Sequence, residues 1–293
     1  MNNLKEIILK NKPELSSSSI KTYLSSLSGL HKKLFEGDIK LSNFQKTKIV
    51  LNSIKNKLPS QRKSILNVLY VLTKDEEYHK LMMEDIISHN NLVKSGEMND
   101  KQKSKMITQE ELKIIFENVK QDANEIYKKT NKSKNDIQVI QNYVILALTS
   151  GLFFNPRRLL DWTQFKNKNI DIDNDNYMNK DEFIFNKYKN SKSKGQQRLE
   201  IPKIIKNILK NWAKINDNDY LLIDTLGNKL NSTKLNQRLT KILRNRSMNS
   251  LRHSYFTNDK NKNLLKKYQI LKDDFNKSGS SIEQADVYIN KEQ

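Results

Sequence analysis

Residues 149–162 read TSGLFFNPRRLLDW, where a buried apolar helix ends at Gly151 and another begins after an Asn-Pro break. Two adjacent arginines, Arg157 and Arg158, lie between those helices. Arginine is unfavourable beside so much apolar surface unless it is paired with an acid or binds an anion. Its planar guanidinium can hold phosphate through two parallel hydrogen bonds. The structural alternative is an ion pair between Arg158 and Asp161, one helical turn further on.

The chain before this stretch has the pattern of a small helical bundle. Apolar residues from Ile20 to Leu34 recur at the three-and-four spacing of an amphipathic helix, and the hydroxyls of residues 16–19 can cap it. Further helices are predicted near residues 44–58, 61–73 and 76–87. No alternating strand pattern occurs before residue 90, so this part is predicted to be all helical.

A polar segment separates this bundle from the rest of the chain. Residues 88–105 read SHNNLVKSGEMNDKQKSK and contain few large apolar side chains, which is the composition of an exposed linker. We therefore predict a helical domain over residues 1–90, a linker over 91–106 and a second domain over 107–293.

The second domain is predicted to be mainly α with a small β-sheet. Thr108 has the pattern of a helix cap, and residues 137–148 form another helical face. Strand-like runs at 182–188 and 198–201 flank a lysine-rich turn, which indicates a β-hairpin. Beyond Pro202 the pattern is helical again.

The charge of the chain indicates a polyanionic partner. Lysine and arginine total 53 against 33 aspartates and glutamates, a formal charge of +20, and such a field favours encounter with nucleic acid or an anionic membrane. The chain has no cysteine, which excludes disulfides, zinc fingers and thiol catalysis, and its four histidines lack metal-ligand spacing. No glycine-rich nucleotide loop is present. We expect no cofactor and no metal.

No segment has the pattern of a membrane protein. The longest apolar stretch, residues 143–154, is too short to cross a bilayer, and the amino terminus lacks a signal-peptide pattern. We expect a soluble, intracellular protein that acts on DNA, with no membrane partner.

Three further features are candidates for DNA chemistry. In SMNSLRHSYFT, residues 247–257, Arg252 and His253 stand among apolar residues. In SIEQADVYINKEQ, Tyr288 lies at the margin of a helical face, where a packing role is the alternative. The hairpin can carry ammonium groups to phosphate oxygens, although lysines at a loop tip are often simply solvated. Its lysines are Lys187, Lys189, Lys192 and Lys194.

Taken in order, these features resemble the catalytic domain of the tyrosine recombinases, or phage-type integrases. The resemblance implies that Arg158, followed by Asp161 and preceded by Gly151, is the first catalytic arginine. It implies that Arg252 is the second.

The resemblance also assigns the remaining catalytic roles. Asn249 stands where the family usually has histidine, and His253 follows the second arginine as in the family. The catalytic lysine is expected at Lys189 in the hairpin, with Lys192 as the alternative. Tyr288 is expected to be the nucleophile.

The amino-terminal part resembles the family's helical core-binding domain, a SAM-like DNA-binding fold. The resemblance rests on SSSSIKTYLSSLSGL, residues 16–30, and implies a DNA contact by Lys21, alongside Lys187, Lys192 and Lys194 of the hairpin. The sequence around the arginines and the AT-rich composition resemble integrases of large DNA viruses and their satellite viruses. That likeness implies integration of a viral genome in a host cell.

The family resemblance implies a site-specific recombinase that cleaves and rejoins double-stranded DNA through a 3′-phosphotyrosine, without metal or ATP, as a homotetramer on paired sites. Two alternatives remain. A type IB topoisomerase shares the tyrosine and arginine chemistry, although the separate helical domain favours a recombinase. A DNA-binding protein that kept the fold and lost catalysis is consistent with the lack of a histidine or tryptophan shortly before Tyr288.

Overall fold

The computed structural model describes residues 1–94, 100–279 and 281–282. The chain divides into two compact units, Met1–Met98 and Asn99–Gln293. The described part is mostly helical with one small sheet, which confirms the predicted fold class.

The first unit consists of helices packed around one apolar core. The serine cap is confirmed at α2, where the Ser16 hydroxyl accepts a hydrogen bond from the amide of Ser19 at 3.2 Å. Leu27, Phe44 and Leu69 are among the fully buried residues of the core. Its helices are α1 (Asn2–Asn11), α2 (Ser17–Leu34), α3 (Leu41–Phe44), α4 (Thr47–Ile54), α5 (Pro59–Thr73) and α6 (Glu76–Lys94).

Helix α6 runs further than the apolar pattern predicts. It continues past Ile87 to Lys94. Residues 95–99 lie outside the described part, and α7 (Asp100–Lys103) follows them. Both overlap residues 91–106, the segment whose composition predicts a linker. The side chains of residues 91–93, 100 and 103–105 are exposed, and a helix can be polar on all sides where it is exposed.

The second unit combines helices with a four-stranded sheet. Thr108 caps α8 as predicted, since its hydroxyl accepts from the Glu111 amide at 3.0 Å. The elements are α8 (Gln109–Tyr127), α9 (Lys134–Thr149), α10 (Leu159–Thr163), β1 (Phe165–Lys166), β2 (Asn176–Asn179), β3 (Glu182–Phe185), α11 (Ser191–Lys194), β4 (Gln197–Glu200), α12 (Lys203–Ala213), α13 (Ser232–Ile242), α14 (Met248–Thr257) and α15 (Asp259–Lys277).

The sheet has the strand order β1-β2-β3-β4. Strands β1 and β2 are parallel, whereas β2 with β3 and β3 with β4 are antiparallel. The predicted hairpin is confirmed as β3 and β4, and the short helix α11 lies within its connection. Strands β1 and β2 are not predicted from the sequence because they are short and show no clear alternation of apolar and polar residues.

Aromatic rings join the sheet to the region of the two arginines. Trp162 of α10 packs edge-on against Phe183 and Phe185 of β3, with ring centroids 5.2 and 5.4 Å apart. Phe165 of β1 packs edge-on against Phe183 at 5.5 Å. All four side chains are fully buried, so α10 is held rigidly on the face of the sheet.

Helix length and hydropathy give no indication of a membrane span in the part of the chain that the structure describes.

Candidate active site

A cleft of about 490 Å³ in the second unit brings the two predicted arginines together. Arg158 stands at the N-cap of α10 and Arg252 on α14, and both line the cleft. Lys194 and Arg198 from the hairpin lie on its wall as well. The cleft is therefore a strongly cationic depression assembled from three distant segments of the chain.

Close packing holds the Arg158 loop against helix α14. Gly151 has φ +81°, and a Cβ atom there would lie 3.0 Å from the ring of Tyr255 and 3.3 Å from Pro156. Glycine allows both the left-handed backbone and this close approach. The Tyr255 hydroxyl also hydrogen-bonds the side-chain oxygen of Asn155. These contacts keep the two arginine-bearing segments side by side.

The two adjacent arginines have different partners. Arg157, not Arg158, forms the ion pair with Asp161, with Nε and Oδ2 2.9 Å apart. Arg157 also donates to Gln197 Oε1 at 2.9 Å and lies over the ring of Phe185 at 3.9 Å. Arg157 is therefore a structural link between α10 and the hairpin.

The ion pair between Arg158 and Asp161, which is the structural alternative for Arg158, does not form. Within the described residues, neither Arg158 nor Arg252 forms an ion pair, and the side chain of Arg158 is exposed to the cleft. Guanidinium groups without a protein acid next to a concave surface are suited to bind an anion.

The site has more positive charge than its single buried acid can balance. Asp161 is 4% exposed, and burial raises its pKa although Arg157 and the nearby Arg158 and Arg252 oppose the rise. Its Oδ1 atom has no hydrogen-bond partner among the described residues. Burial, and next the charge of Arg158, lower the pKa of Arg252. An anion between the two arginines would relieve this repulsion.

Of the described hairpin lysines, Lys194 lines the cleft. It ends the one-turn helix α11, and the following residue, Gly195, accepts a hydrogen bond from the Tyr188 hydroxyl at 2.7 Å. Lys189 and Lys192 are exposed and do not line the cleft. The spacing of lysines in the turn cannot show this, because α11 decides which of them faces the arginines.

The other predicted residues lie in several places. Asn249 and His253 are on α14 with Arg252, exposed but outside the cleft lining. The ammonium group of Lys187 is paired with Asp175 at 3.2 Å. In the first unit Lys21 is exposed on α2, and Tyr288 lies outside the described residues.

Arg198 is a basic cleft residue that sequence reasoning misses. It is the second residue of β4, and the strand pattern gives it no functional reading. Its Nη1 atom lies 3.4 Å from the carboxylate of Glu182, so its charge is partly balanced. A basic residue directly after a lysine-rich turn is the signal that could have indicated it.

No group of three or more histidine, aspartate or glutamate side chains is arranged to hold a metal ion in the described part of the chain. The charged side chains of the cleft are cationic except for Asp161, which is paired with Arg157. They are suited to an anionic ligand.

No protein-family model and no curated protein sequence matches the chain. Among solved structures, it is similar to a lambda integrase dimer bound to a COC′ core site, with 12% identity over 87% of this chain and 68% of that one, and a TM-score of 0.47. It is also similar to a XerA recombinase, with 13% identity over 87% of this chain and 82% of that one, and a TM-score of 0.35.

Proposed function

We propose that this chain is a tyrosine recombinase that cleaves and rejoins double-stranded DNA. The observation that carries the proposal is the convergence of Arg158, Arg252 and Lys194 on one cleft, without an acid paired to either arginine in the described part. The like charges of two guanidinium groups in one cleft repel, and an anion bound between them offsets this repulsion. A DNA phosphodiester supplies one negative charge, and the pentavalent transition state of its cleavage supplies two.

The proposed reaction uses the protein as the nucleophile. The Tyr288 phenolate oxygen attacks the scissile phosphorus, a bond from phosphorus to the tyrosine forms, and the bond to the 5′ oxygen breaks. The product is a 3′-phosphotyrosine and a free 5′ hydroxyl. Because the phosphodiester energy is kept in the new bond, the reverse attack by a 5′ hydroxyl rejoins a strand without ATP.

The arginines are proposed to stabilise the transition state. Attack places additional negative charge on the non-bridging oxygens, and donors fixed in advance lower the energy of that state more than that of the ground state. The close packing of Gly151 against Tyr255 and Pro156 keeps these donors in place before DNA arrives.

We propose Lys194 as the general acid that protonates the leaving 5′ oxygen. Lys189 and Lys192 are the residues that family resemblance suggests, but the cleft lining favours Lys194. An ammonium group that shares a cleft with the phosphate-binding arginines can deliver its proton over hydrogen-bond distance. Asn249 and His253, on the arginine's own helix, are proposed to help position the phosphate or transfer protons once DNA is bound.

We also propose how the protein assembles on DNA and which biological process it serves. Exchange of strands between two duplexes requires cleavage of four strands, which a homotetramer on paired sites provides. Lys21, Lys187 and Lys192 are proposed as contacts to the DNA backbone. Integration of a viral genome is the biological role that the resemblance to viral integrases suggests.

The nucleophile assignment is tested with a nicked suicide substrate that traps covalent protein–DNA adducts. Tyr288→Phe is expected to abolish the adduct and to leave DNA binding unchanged, since it removes one hydroxyl. Tyr268→Phe, on α15, is the matched control and should form the adduct normally. Persistence of the adduct in Tyr288→Phe would refute the assignment, and absence of any adduct from the unaltered chain would favour a DNA-binding protein without catalysis.

A further inference from the structure

A buried asparagine connects the Arg158 helix to the lysine-bearing hairpin. Asn176, at the start of β2, is fully buried. Its Nδ2 atom donates to the carbonyl oxygens of Asp161 and Lys187, each at 2.8 Å. Its Oδ1 atom accepts from the amides of Asn186 at 2.9 Å and Lys187 at 2.6 Å.

These four bonds use the whole hydrogen-bonding capacity of a side-chain amide, two donors and two acceptor lone pairs. One of them holds helix α10 through the carbonyl of Asp161. The other three hold the backbone where β3 leads into the lysine-bearing turn. The isosteric side chains cannot make this set, because aspartate lacks the donors and leucine lacks both donors and acceptors.

The lysine-bearing turn is closed by two bonds that start beside those anchored residues. The Tyr188 hydroxyl, next to Lys187, donates to the carbonyl of Gly195 at 2.7 Å. On the other side, Gln196 Nε2 donates to Asn186 Oδ1 at 2.9 Å. Lys194 lies directly before these two closing residues, so its place depends on the backbone that Asn176 fixes.

Asn186 extends the same network. Its Nδ2 atom donates to the carbonyls of Ile172 at 2.8 Å and Asp175 at 2.9 Å. It is less buried than Asn176. A change at Asn186 therefore weakens the hold on the turn without exposing the core.

We propose that Asn176 is a positioning residue that fixes the turn carrying Lys194 relative to the Arg158 helix. The proposal rests on the proposed function, in which Lys194 protonates the leaving 5′ oxygen. Asn176 does not touch DNA. It acts by holding the ammonium group within reach of that oxygen, and a displacement of about 1 Å at a reacting group can lower a rate on the order of a hundredfold.

The test compares two DNA substrates that differ in one atom. In the first, the leaving atom is the usual 5′ oxygen, which requires protonation. In the second, a 5′-bridging sulfur replaces it, and a thiolate leaves without an acid because it is a much weaker base than an alkoxide. The measured quantity is the ratio of the two single-turnover cleavage rates, which does not depend on the fraction of folded protein.

For Asn176→Ala in the full chain, we expect cleavage of the oxygen substrate to fall about a hundredfold and cleavage of the sulfur substrate to change little. Lys194→Ala should show the same pattern. Asn186→Ala should shift the ratio in the same direction by a smaller factor, and it decides the matter if Asn176→Ala does not fold.

Gln141→Ala is the matched control. Gln141 is an equally buried amide, bonded to the amide and carbonyl of Ile223 at 2.8 Å each, and it lies away from the hairpin. It should leave the ratio unchanged. An unchanged ratio in both asparagine variants overturns the positioning role. Failure of the unaltered chain to cleave either substrate overturns the proposed function, on which this role rests.

Discussion

Arg62 in the first unit is paired with a buried carboxylate, whereas Arg158 and Arg252 in the second unit lie near a buried carboxylate that is paired with another arginine. Arg62 holds Asp85 with two hydrogen bonds, Nε to Oδ2 at 2.8 Å and Nη2 to Oδ1 at 2.6 Å, and Asp85 is 2% exposed. This bonding raises the pKa of Arg62. In the cleft, burial and the charge of Arg158 lower the pKa of Arg252.

The comparison separates a structural arginine from one that is available to a ligand. Arg62 and Asp85 neutralise one another, so the pair stabilises the fold and leaves no free charge for a ligand. In the cleft, Asp161 is paired with Arg157, and the positive charges of Arg158 and Arg252 remain available to a ligand. Arginine is the residue in both places, and whether a carboxylate is paired with it decides whether it stabilises the fold or is available to a ligand.

Removal of either cleft arginine should have the largest effect. Arg252→Ala or Arg158→Ala is expected to slow DNA cleavage on the order of 10²–10³-fold, about 3 kcal/mol at the transition state, because each removes one preorganised donor. Stability should be unchanged or slightly higher, because repulsion between like charges is relieved. Single-turnover cleavage and urea unfolding measure the two quantities.

Lys210→Ala is the control for net charge, since Lys210 is an exposed cation on α12 outside the cleft. It should reduce cleavage by a small factor only. If it slows cleavage as much as the arginine variants do, the cleft has no special role and the chain binds DNA by general charge alone.

Arg62→Ala should give the opposite profile. We expect a loss of about 2 kcal/mol in the free energy of unfolding, because Asp85 stays buried without its partner; the loss is below that for a fully buried pair because Arg62 is partly exposed. Cleavage by the folded fraction should be unchanged. A stability equal to that of the unaltered chain would show that the pair is not the structural counterpart of the cleft.

Asp161→Asn should give the smallest effect, about 1 kcal/mol, and it depends on pH. Burial raises the pKa of Asp161 in the folded state above its unfolded value. The folded state therefore binds more protons, and the stability of the unaltered chain falls as pH rises from about 4 toward the folded pKa. The Asp161→Asn variant lacks this titration, so its stability relative to the unaltered chain should rise over that window. Urea unfolding at several pH values measures the difference in stability, and a difference that is constant with pH would contradict the assignment.

Much of the fold could be predicted because helices carry local signals. The caps at Ser16 and Thr108 lie where the sequence places them, since a hydroxyl next to the first free amides is a property of neighbouring residues. The hairpin of β3 and β4 is predicted for the same reason. Strand β2 is not, because its place depends on pairing with strands on both sides.

The candidate site could be predicted less completely. The resemblance to tyrosine recombinases implies that Arg158 and Arg252 share a site, and both line one cleft. The sequence does not indicate that Arg157 forms the ion pair with Asp161, because Arg157 and Arg158 are both close enough to that acid along the chain. The place of Lys194 also depends on α11 and on hydrogen bonds from residues that the sequence does not single out.

The sequence by itself determined the helical character of the chain, its positive charge and the residue types able to hold a phosphate, because these are properties of single residues and near neighbours. Tertiary structure alone decided which arginine is neutralised, which lysine faces the cleft and how Asn176 links them. These outcomes depend on distances between side chains far apart in sequence, and such distances are set only when the core of the second unit packs.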